Sequence, residues 1–439
     1  MRSVAATNIA LFVLALPAPQ AWAAGKDNVR TITVSNIQAA QILIASNRLD
    51  DAKMLLLERV LAANPDDPEG LFLLATIAVE QKDYDRAISL YRRILVHEPN
   101  AERVRLDLAR AFFLKGDYDN ADRQFRFARA GDIDDAVKAN IDRFLSAINR
   151  LRQWTFNFSL ALAPDTNQNA ATSASQVSIF GLPFVLDKAA RKQSGIGVAG
   201  AIGGEWSPIL GDNLKARLGA DFYRVEYSGG QFDDMTLSGY GGPQLLFDNW
   251  DLSVLATGFK RWFANQEYVS GAGAKLAADY GITSNWLVGA AFGGQSVTNR
   301  FIPEQSGPLW SAQTQLAYVL SPSSLFQLQL GFNRQDAQIG AYSYSGVWLG
   351  GGYSQDLPFG FSAGFQPAFF MTRYDDMLPA FAKTRSDDTV MLAFTLLNRR
   401  LDYHGFTPRF SYVFSEQHSS IPIYSFTRNQ FQIGITSVF

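Results

Sequence analysis

The chain has 439 residues, enough for two or three domains, and its net charge of −2 with a pI near 6.0 excludes a broad basic surface for nucleic acid. It contains no cysteine, so disulfides, thiolate metal sites, a nucleophilic thiol and a lipid-modified cysteine are excluded as well. Hydrophobic residues make up 47%, yet mean hydropathy is only −0.05. That balance arises where apolar residues alternate with polar ones.

Residues 1–23 predict a secretory signal. Arg2 supplies the positive start, Ile9 to Leu16 a short apolar core, and Ala21-Trp22-Ala23 an A-x-A cleavage site. The core is too short to span a bilayer. The mature chain is expected to begin near Ala24, outside the cytoplasm.

Residues 31–151 predict a helical arm. Lys82-Asp83-Tyr84-Asp85-Arg86-Ala87 and Lys115-Gly116-Asp117-Tyr118-Asp119-Asn120-Ala121 superimpose with Ala87 and Ala121 in register, 34 residues apart. Asn47-Arg48-Leu49-Asp50-Asp51-Ala52 is a weaker copy upstream, and Asn64-Pro65 and Glu98-Pro99 mark repeat ends. This is the period of the tetratricopeptide repeat. Residues 134–153 then read as one amphipathic helix with Val137, Ile141, Phe144, Leu145 and Ile148 on its apolar face, capping the solenoid. Such solenoids are concave docking surfaces. Phe72, Thr76, Arg103, Leu106, Arg110 and Phe113 are the candidate groove residues for a polypeptide client.

From Trp154 to the end, helical periodicity gives way to period two. Leu214, Ala216, Leu218, Ala220 and Phe222 oppose Lys215, Arg217, Asp221 and Tyr223; Phe431, Ile433, Ile435, Ser437 and Phe439 oppose Gln430, Gln432, Gly434 and Thr436. About fourteen such segments occur, and their connections alternate long and short, with 164–193, 228–234, 298–308, 374–387 and 416–422 among the long ones. Strands of about ten residues, tilted, cover the roughly 25 Å apolar band of an outer membrane. The fold class expected is therefore an N-terminal tetratricopeptide α-solenoid followed by a fourteen-stranded antiparallel transmembrane β-barrel at 154–439. The long first connection points the first strand outward and leaves the arm in the periplasm. Trp154, Trp206, Trp250, Trp262, Trp286, Trp310 and Trp348 suit membrane-interface girdles. Lys215, Arg217, Asp221, Lys275, Asp279 and Arg409 are assigned to the lumen, because a mid-depth Arg or Lys facing lipid costs about 2–4 kcal/mol.

Catalytic signatures do not emerge. His97, His404 and His418 have no partners at metal-ligand spacing, and no nucleophile elbow, zinc-protease helix motif or phosphate loop occurs. The glycine runs at 239–242 and 350–352 lie inside strands, where they relieve crowding in the wall. No enzyme activity, cofactor or metal is expected.

The whole arrangement resembles the surface lipoprotein assembly modulator family (Slam), the outer-membrane translocon of type XI secretion. Local stretches share the resemblance: Ala163-Pro164-Asp165-Thr166-Asn167 after the first strand, Gly181-Leu182-Pro183-Phe184 to Lys192-Gln193-Ser194-Gly195 in the first long loop, and Ser419-Ser420-Ile421-Pro422-Ile423-Tyr424-Ser425-Phe426-Thr427-Arg428-Asn429 entering the last strand. Ser420 stands where the family pattern has Asn. The resemblance implies a periplasmic arm that receives a client lipoprotein or a related soluble secreted protein, a barrel that helps it reach the surface, and contacts with outer-membrane lipid and the barrel-assembly machinery. A seam between the first and last strands is the implied place for lateral opening. The alternative, an exopolysaccharide export porin, also joins such repeats to a barrel; the short arm here favours protein export.

Overall fold

The computed structural model describes residues 34–247, 250–283, 285–403 and 405–437. The signal-peptide reading, the turn at Asp248-Asn249, Ser284, His404 and the terminal Phe439 lie outside the described residues.

The arm comprises α1 (Asn36–Ala45), α2 (Leu49–Leu55, continued by a π-turn at Leu56–Val60), α3 (Pro68–Glu80), α4 (Tyr84–His97), α5 (Glu102–Lys115), α6 (Tyr118–Arg129) and α7 (Asp135–Leu151). The repeated Asp has a physical role. Asp83 accepts from the Arg86 N–H at 3.2 Å and Asp117 from the Asn120 N–H at 3.3 Å, each capping the second helix of its pair. One residue earlier in each copy the chain reverses in the left-handed region, with φ 60° at Lys82 and 85° at Gly116. Ala52, Ala87 and Ala121 have no exposed surface and let paired helices close. Phe125, also fully buried, stacks on Phe144 of α7 with centroids 4.8 Å apart. A buried aromatic of this size contributes about 1.5–3 kcal/mol.

Fourteen barrel strands follow: β1 (Trp154–Asp165), β2 (Gly195–Trp206), β3 (Leu214–Tyr227), β4 (Asp234–Leu246), β5 (Trp250–Phe263), β6 (Gln266–Thr283), β7 (Trp286–Asn299), β8 (Gly307–Ser321), β9 (Ser324–Gln335), β10 (Tyr344–Asp356), β11 (Phe361–Leu378), β12 (Lys383–Asn398), β13 (Thr407–Ser419) and β14 (Phe426–Thr436). Each pairs antiparallel with its sequence neighbours, and β14 pairs back onto β1 to close the barrel. The rim where α7 feeds β1 is the near rim; the first and longest connection leaves the far rim, although β5–β6 is a tight turn there and β12–β13 a longer link at the near rim. Outward positions carry exposed apolar side chains such as Leu160, Val254, Phe292, Leu330 and Ile433. No described helix is long and apolar enough to cross a membrane, whereas this outward strand face is predominantly apolar.

Aromatic pairs ring the near rim: Trp154 stacks on Trp206, Phe247 on Trp250 and Trp286 on Tyr318. Trp348 departs from the girdle expectation. It faces the lumen, stacked with Phe370 and lying over Gly331, where a Cβ would come 2.0 Å from the indole nitrogen. A glycine facing a tryptophan across a ladder marks an inward aromatic, which strand alternation alone does not distinguish from a rim residue.

A second departure concerns residues 374–387, expected to form a long loop. There β11 runs on to Leu378 and β12 starts at Lys383, joined by a 3₁₀ turn at Pro379–Phe381. This hairpin stands beyond the apolar band. Its charges, among them Arg373 paired with Asp388 at 2.7 Å, fall on both faces, so the alternation that betrays a half-buried strand is missing. The first long connection reaches other connections of the far rim. Its small hairpin (Gln176–Ile179 with Leu182–Val185) is tied to the β11–β12 turn by the Phe180 N–H, which donates to the Ala380 carbonyl at 2.6 Å. Ala341, Leu378 and Ile421 from three other far-rim connections bury one another.

Candidate functional site: docked arm, lumen and seam

The arm lies against the near rim. Arg105 of α5 is only 2% exposed although it carries a full charge. It donates to the Pro99 carbonyl at 2.8 and 3.0 Å, to Gln124 at 2.8 Å and to Asp356, the last residue of β10, at 2.9 Å. Burial pulls its guanidinium below the ordinary value, and Asp356 opposes that pull. Arg399 and Arg123 also face Asp356, at 3.5 and 3.9 Å. Around this cluster, Ser323 of the β8–β9 turn donates to Asn100 at 2.7 Å, and Arg92 pairs with Asp402 at 3.0 Å. Farther along the rim, Arg129 donates to Asn285 and Asn149 to Asp251.

The expected lumen residues all sit on inward strand positions, but their partners differ. Lys215 is 3% exposed, and its ammonium donates to the carbonyls of Asn149 and of Arg152, the latter at 3.0 Å. Those carbonyls end α7, where the helix dipole is negative, so a barrel lysine caps an arm helix. Arg217 pairs with Glu205 at 2.6 Å and lies over the Tyr240 ring, whose hydroxyl donates to the same carboxylate. Asp221 lies beside Asn157 and Gly203. Asp279 faces Asp251 across the β5–β6 ladder, Lys275 lies opposite Leu255, and Arg409 lies opposite Gly434. A cavity of about 1380 Å³ runs from Arg126, Arg129 and Arg152 of the arm side to Arg217, Asp279 and Gln329 of the lumen. The two domains therefore share one vestibule.

Of the six groove candidates, four converge on the arm's outer strip. Arg103 lies over the Phe72 ring at 5.1 Å, Phe72 packs edge-on to Tyr91, Thr76 donates to the Phe72 carbonyl, and Arg110 pairs with Asp107 at 3.5 Å. Burial pushes the Asp107 carboxyl up, with Arg110 and Arg103 pulling it back. Leu106 is half-buried against the arm core. Phe113 stands apart, packed edge-on to Phe144 and Tyr118 between successive helices; an aromatic at a helix-pair junction is used for packing.

At the seam, Ser159 to Leu162 of β1 pair with Thr436 to Ile433 of β14; the ladder lapses at Ala163 and Pro164 and resumes at Asp165. There two of the stretches quoted for the family resemblance meet. Asp165 Oδ2 accepts from Arg428 at 2.6 and 2.9 Å and from the Tyr227 hydroxyl at 3.0 Å, while Asp165 Oδ1 accepts from the Asn167 N–H. The Thr166 N–H donates to the Asn429 carbonyl at 3.0 Å, and the Asn429 N–H to Thr166 Oγ1 at 2.9 Å.

Glu205, Arg105 and Asp356 were not singled out from sequence. Arg105 had a signal: it stands between Val104 and Leu108 on the apolar stripe of α5, where a charge needs a buried partner. Its partner, 251 positions away, left none.

Among known proteins, residues 154–439 match the family model described as surface lipoprotein assembly modifier, and residues 38–125 match the model of that family's N-terminal TPR repeats. A surface lipoprotein assembly modifier 2 from Haemophilus influenzae is 22% identical over 377 residues, covering 82% of this chain and 76% of its own. Surface lipoprotein assembly modifier 1 from Neisseria meningitidis serogroup B is 22% identical over 412 residues, covering 90% and 81%. Solved structures are more distant. The outer membrane channel DcaP of Acinetobacter baumannii shares 8% identity with a TM-score of 0.38 over 65% of this chain and 97% of its own. The Yersinia enterocolitica type III secretion translocator chaperone SycD shares 18% with a TM-score of 0.25 over 26% and 81%. With a family model spanning the whole barrel and a second on the arm, the chain belongs to the surface lipoprotein assembly modifier family, as an outer-membrane barrel with a tetratricopeptide arm.

Proposed function

We propose that the chain is a translocon that delivers a client lipoprotein, or a related soluble secreted protein, to the cell surface, and that its arm binds the client in the periplasm. The observation that carries this reading is the docking of the arm on the near rim, where its last helices and the lumen line one vestibule, so the arm is held at the mouth of the barrel. The near rim, which bears the arm, faces the periplasm; the far rim, which carries the long first connection, faces outward. The strip at Phe72, Thr76, Arg103 and Arg110 receives the client, since it stays accessible while α5, α6 and α7 are docked. Arg217, Asp221, Lys275, Asp279 and Arg409 keep the interior polar, while Lys215 anchors the end of α7.

The client leaves by the seam between β1 and β14. Two features support this route: Lys215 anchors the end of α7 at the near mouth, and the first long connection is tied along the far rim to the β11–β12 turn. Directionality comes from binding inside and folding outside, a scheme that needs no phosphate-loop motif. The test is surface labelling of a co-expressed client lipoprotein in cells with and without this chain. Labelling that requires the chain supports the function; equal labelling in both, with equal client levels, rejects it.

A further inference from the structure

We propose that Asp165 and Arg428 form a clasp that holds the β1–β14 seam shut, and that the seam parts from the far rim inward when this clasp is released. The inference rests on the seam as the export route and assigns the residues that control it.

The β1–β14 interface differs from every other neighbouring pair in the barrel. The others join consecutive strands and are tied by a turn or loop at one rim. Only β1 and β14 can separate without stretching a connection. Two other ladders also lapse at a proline, beside Pro243 and Pro367, but each belongs to such a tied hairpin.

The seam is unequal along its length. Toward the near rim the Ser437 N–H donates to the Phe158 carbonyl at 2.9 Å, and the Phe158 N–H donates to the Ser437 hydroxyl at 2.9 Å. Gly434 is packed so closely that a Cβ would stand 1.9 Å from the Leu160 carbonyl oxygen. Toward the far rim the pattern breaks. Phe158 with Ser437 and Thr166 with Asn429 are bonding pairs, and bonding pairs alternate along an antiparallel ladder, so Pro164 opposite Phe431 is one too. Proline has no N–H, and that bond is absent. Beyond the gap the seam is held by the two Thr166–Asn429 bonds and by the clasp.

The clasp chemistry suits a lock. Three donors, two from Arg428 and one from Tyr227, converge on a single Asp165 oxygen, and the Asp165 side chain is 1% exposed. Opening the seam takes Arg428 on β14 away from Asp165 on β1 and leaves a buried carboxylate without its counter-charge, so β14 stays seated until that cost is met. Asn167, fully buried, adds its side-chain N–H to the Thr427 carbonyl at 3.1 Å on the same strand.

The test is amide hydrogen exchange of the full chain in lipid nanodiscs, without client. In Asp165→Asn and Arg428→Gln, the Leu162, Thr166, Phe431 and Ile433 amides should exchange at least about tenfold faster, with the β9 amides unchanged. Asp165→Glu keeps the charge and should retain most protection. Tyr227→Phe removes one donor without stranding a charge and serves as the milder variant if the others fail to fold; it should raise exchange at the same amides. A disulfide between Leu162→Cys and Ile433→Cys, an opposed pair in a chain without cysteines, should restore protection in Asp165→Asn. Unchanged exchange at the seam in all variants overturns the clasp, and equal loosening of β9 reduces it to a general structural contact. Because no client is present, this result is independent of whether the chain exports one.

Discussion

Asp356, at the near-rim end of β10, accepts a hydrogen bond at 2.9 Å from Arg105 of α5, an arm residue 251 positions earlier in the chain. The pair is almost dry, with side chains 2% and 11% exposed. Buried ion pairs add little net stability, since desolvation offsets the attraction, but breaking one leaves a stranded charge. This contact therefore fixes where the arm sits more than how firmly the protein folds.

Asp356→Ala should cost about 3–5 kcal/mol of arm stability, whereas the double variant Arg105→Met/Asp356→Leu should recover only part of that loss, because Arg123 and Arg399 still face the vacated site. Urea unfolding followed by helical circular dichroism measures both. A double variant as damaged as the single would show that shape, not charge, holds the arm.

Leu330 and Gln329 are neighbours on β9 with opposite surroundings, Leu330 on the outer apolar face and Gln329 in the vestibule. Leu330→Arg should destabilise the barrel by about 2–4 kcal/mol when folded into vesicles, and Gln329→Arg by far less. Equal penalties would contradict the assignment of faces.

Within the arm, Phe125→Ala should cost about 3–5 kcal/mol, because the ring is fully enclosed and stacked on Phe144. Arg93→Ala removes an ion pair to Asp66 whose side chains are 45% and 51% exposed, and should cost less than about 1 kcal/mol. Thermal melts of the two variants give the comparison.

Asp107 provides a pH test. Burial raises its carboxyl pKa, so the folded arm holds this proton more tightly than the unfolded chain does. Its contribution to stability is complete below the unfolded value of about 3.9 and is lost as pH rises through the folded one. Asp107→Asn should accordingly raise the arm's melting temperature at neutral pH relative to the parent, with the difference vanishing in acid. A difference that grows in acid would reverse the sign of the shift.

Much of this molecule was legible before its coordinates. The 34-residue register placed Asp83 and Asp117 at equivalent positions, and both prove to be helix caps. Period-two alternation found strands wherever one face is apolar and the other polar, as in β3 and β14. It failed where that contrast fades: the wet hairpin around Arg373 and Asp388, and Trp348, whose aromatic bulk suits a rim or a lumen equally. Pairings between residues hundreds of positions apart, Arg105 with Asp356 and Asp165 with Arg428, left no local period. They follow from barrel closure and arm docking, which single-sequence patterns do not encode. The groove candidates fared unevenly for a related reason, since Phe113 occupies a helix junction that only the packing of α7 defines.

The most direct measurement is site-specific photo-crosslinking to a client during export, with a photoreactive residue at Phe72 on the arm, at Ile433 on the seam or at Gln329 in the lumen. The client should crosslink first at position 72 and then at position 433, with little at 329. Strong crosslinks at 329 with none at 433 would put the route through the lumen and contradict a lateral exit.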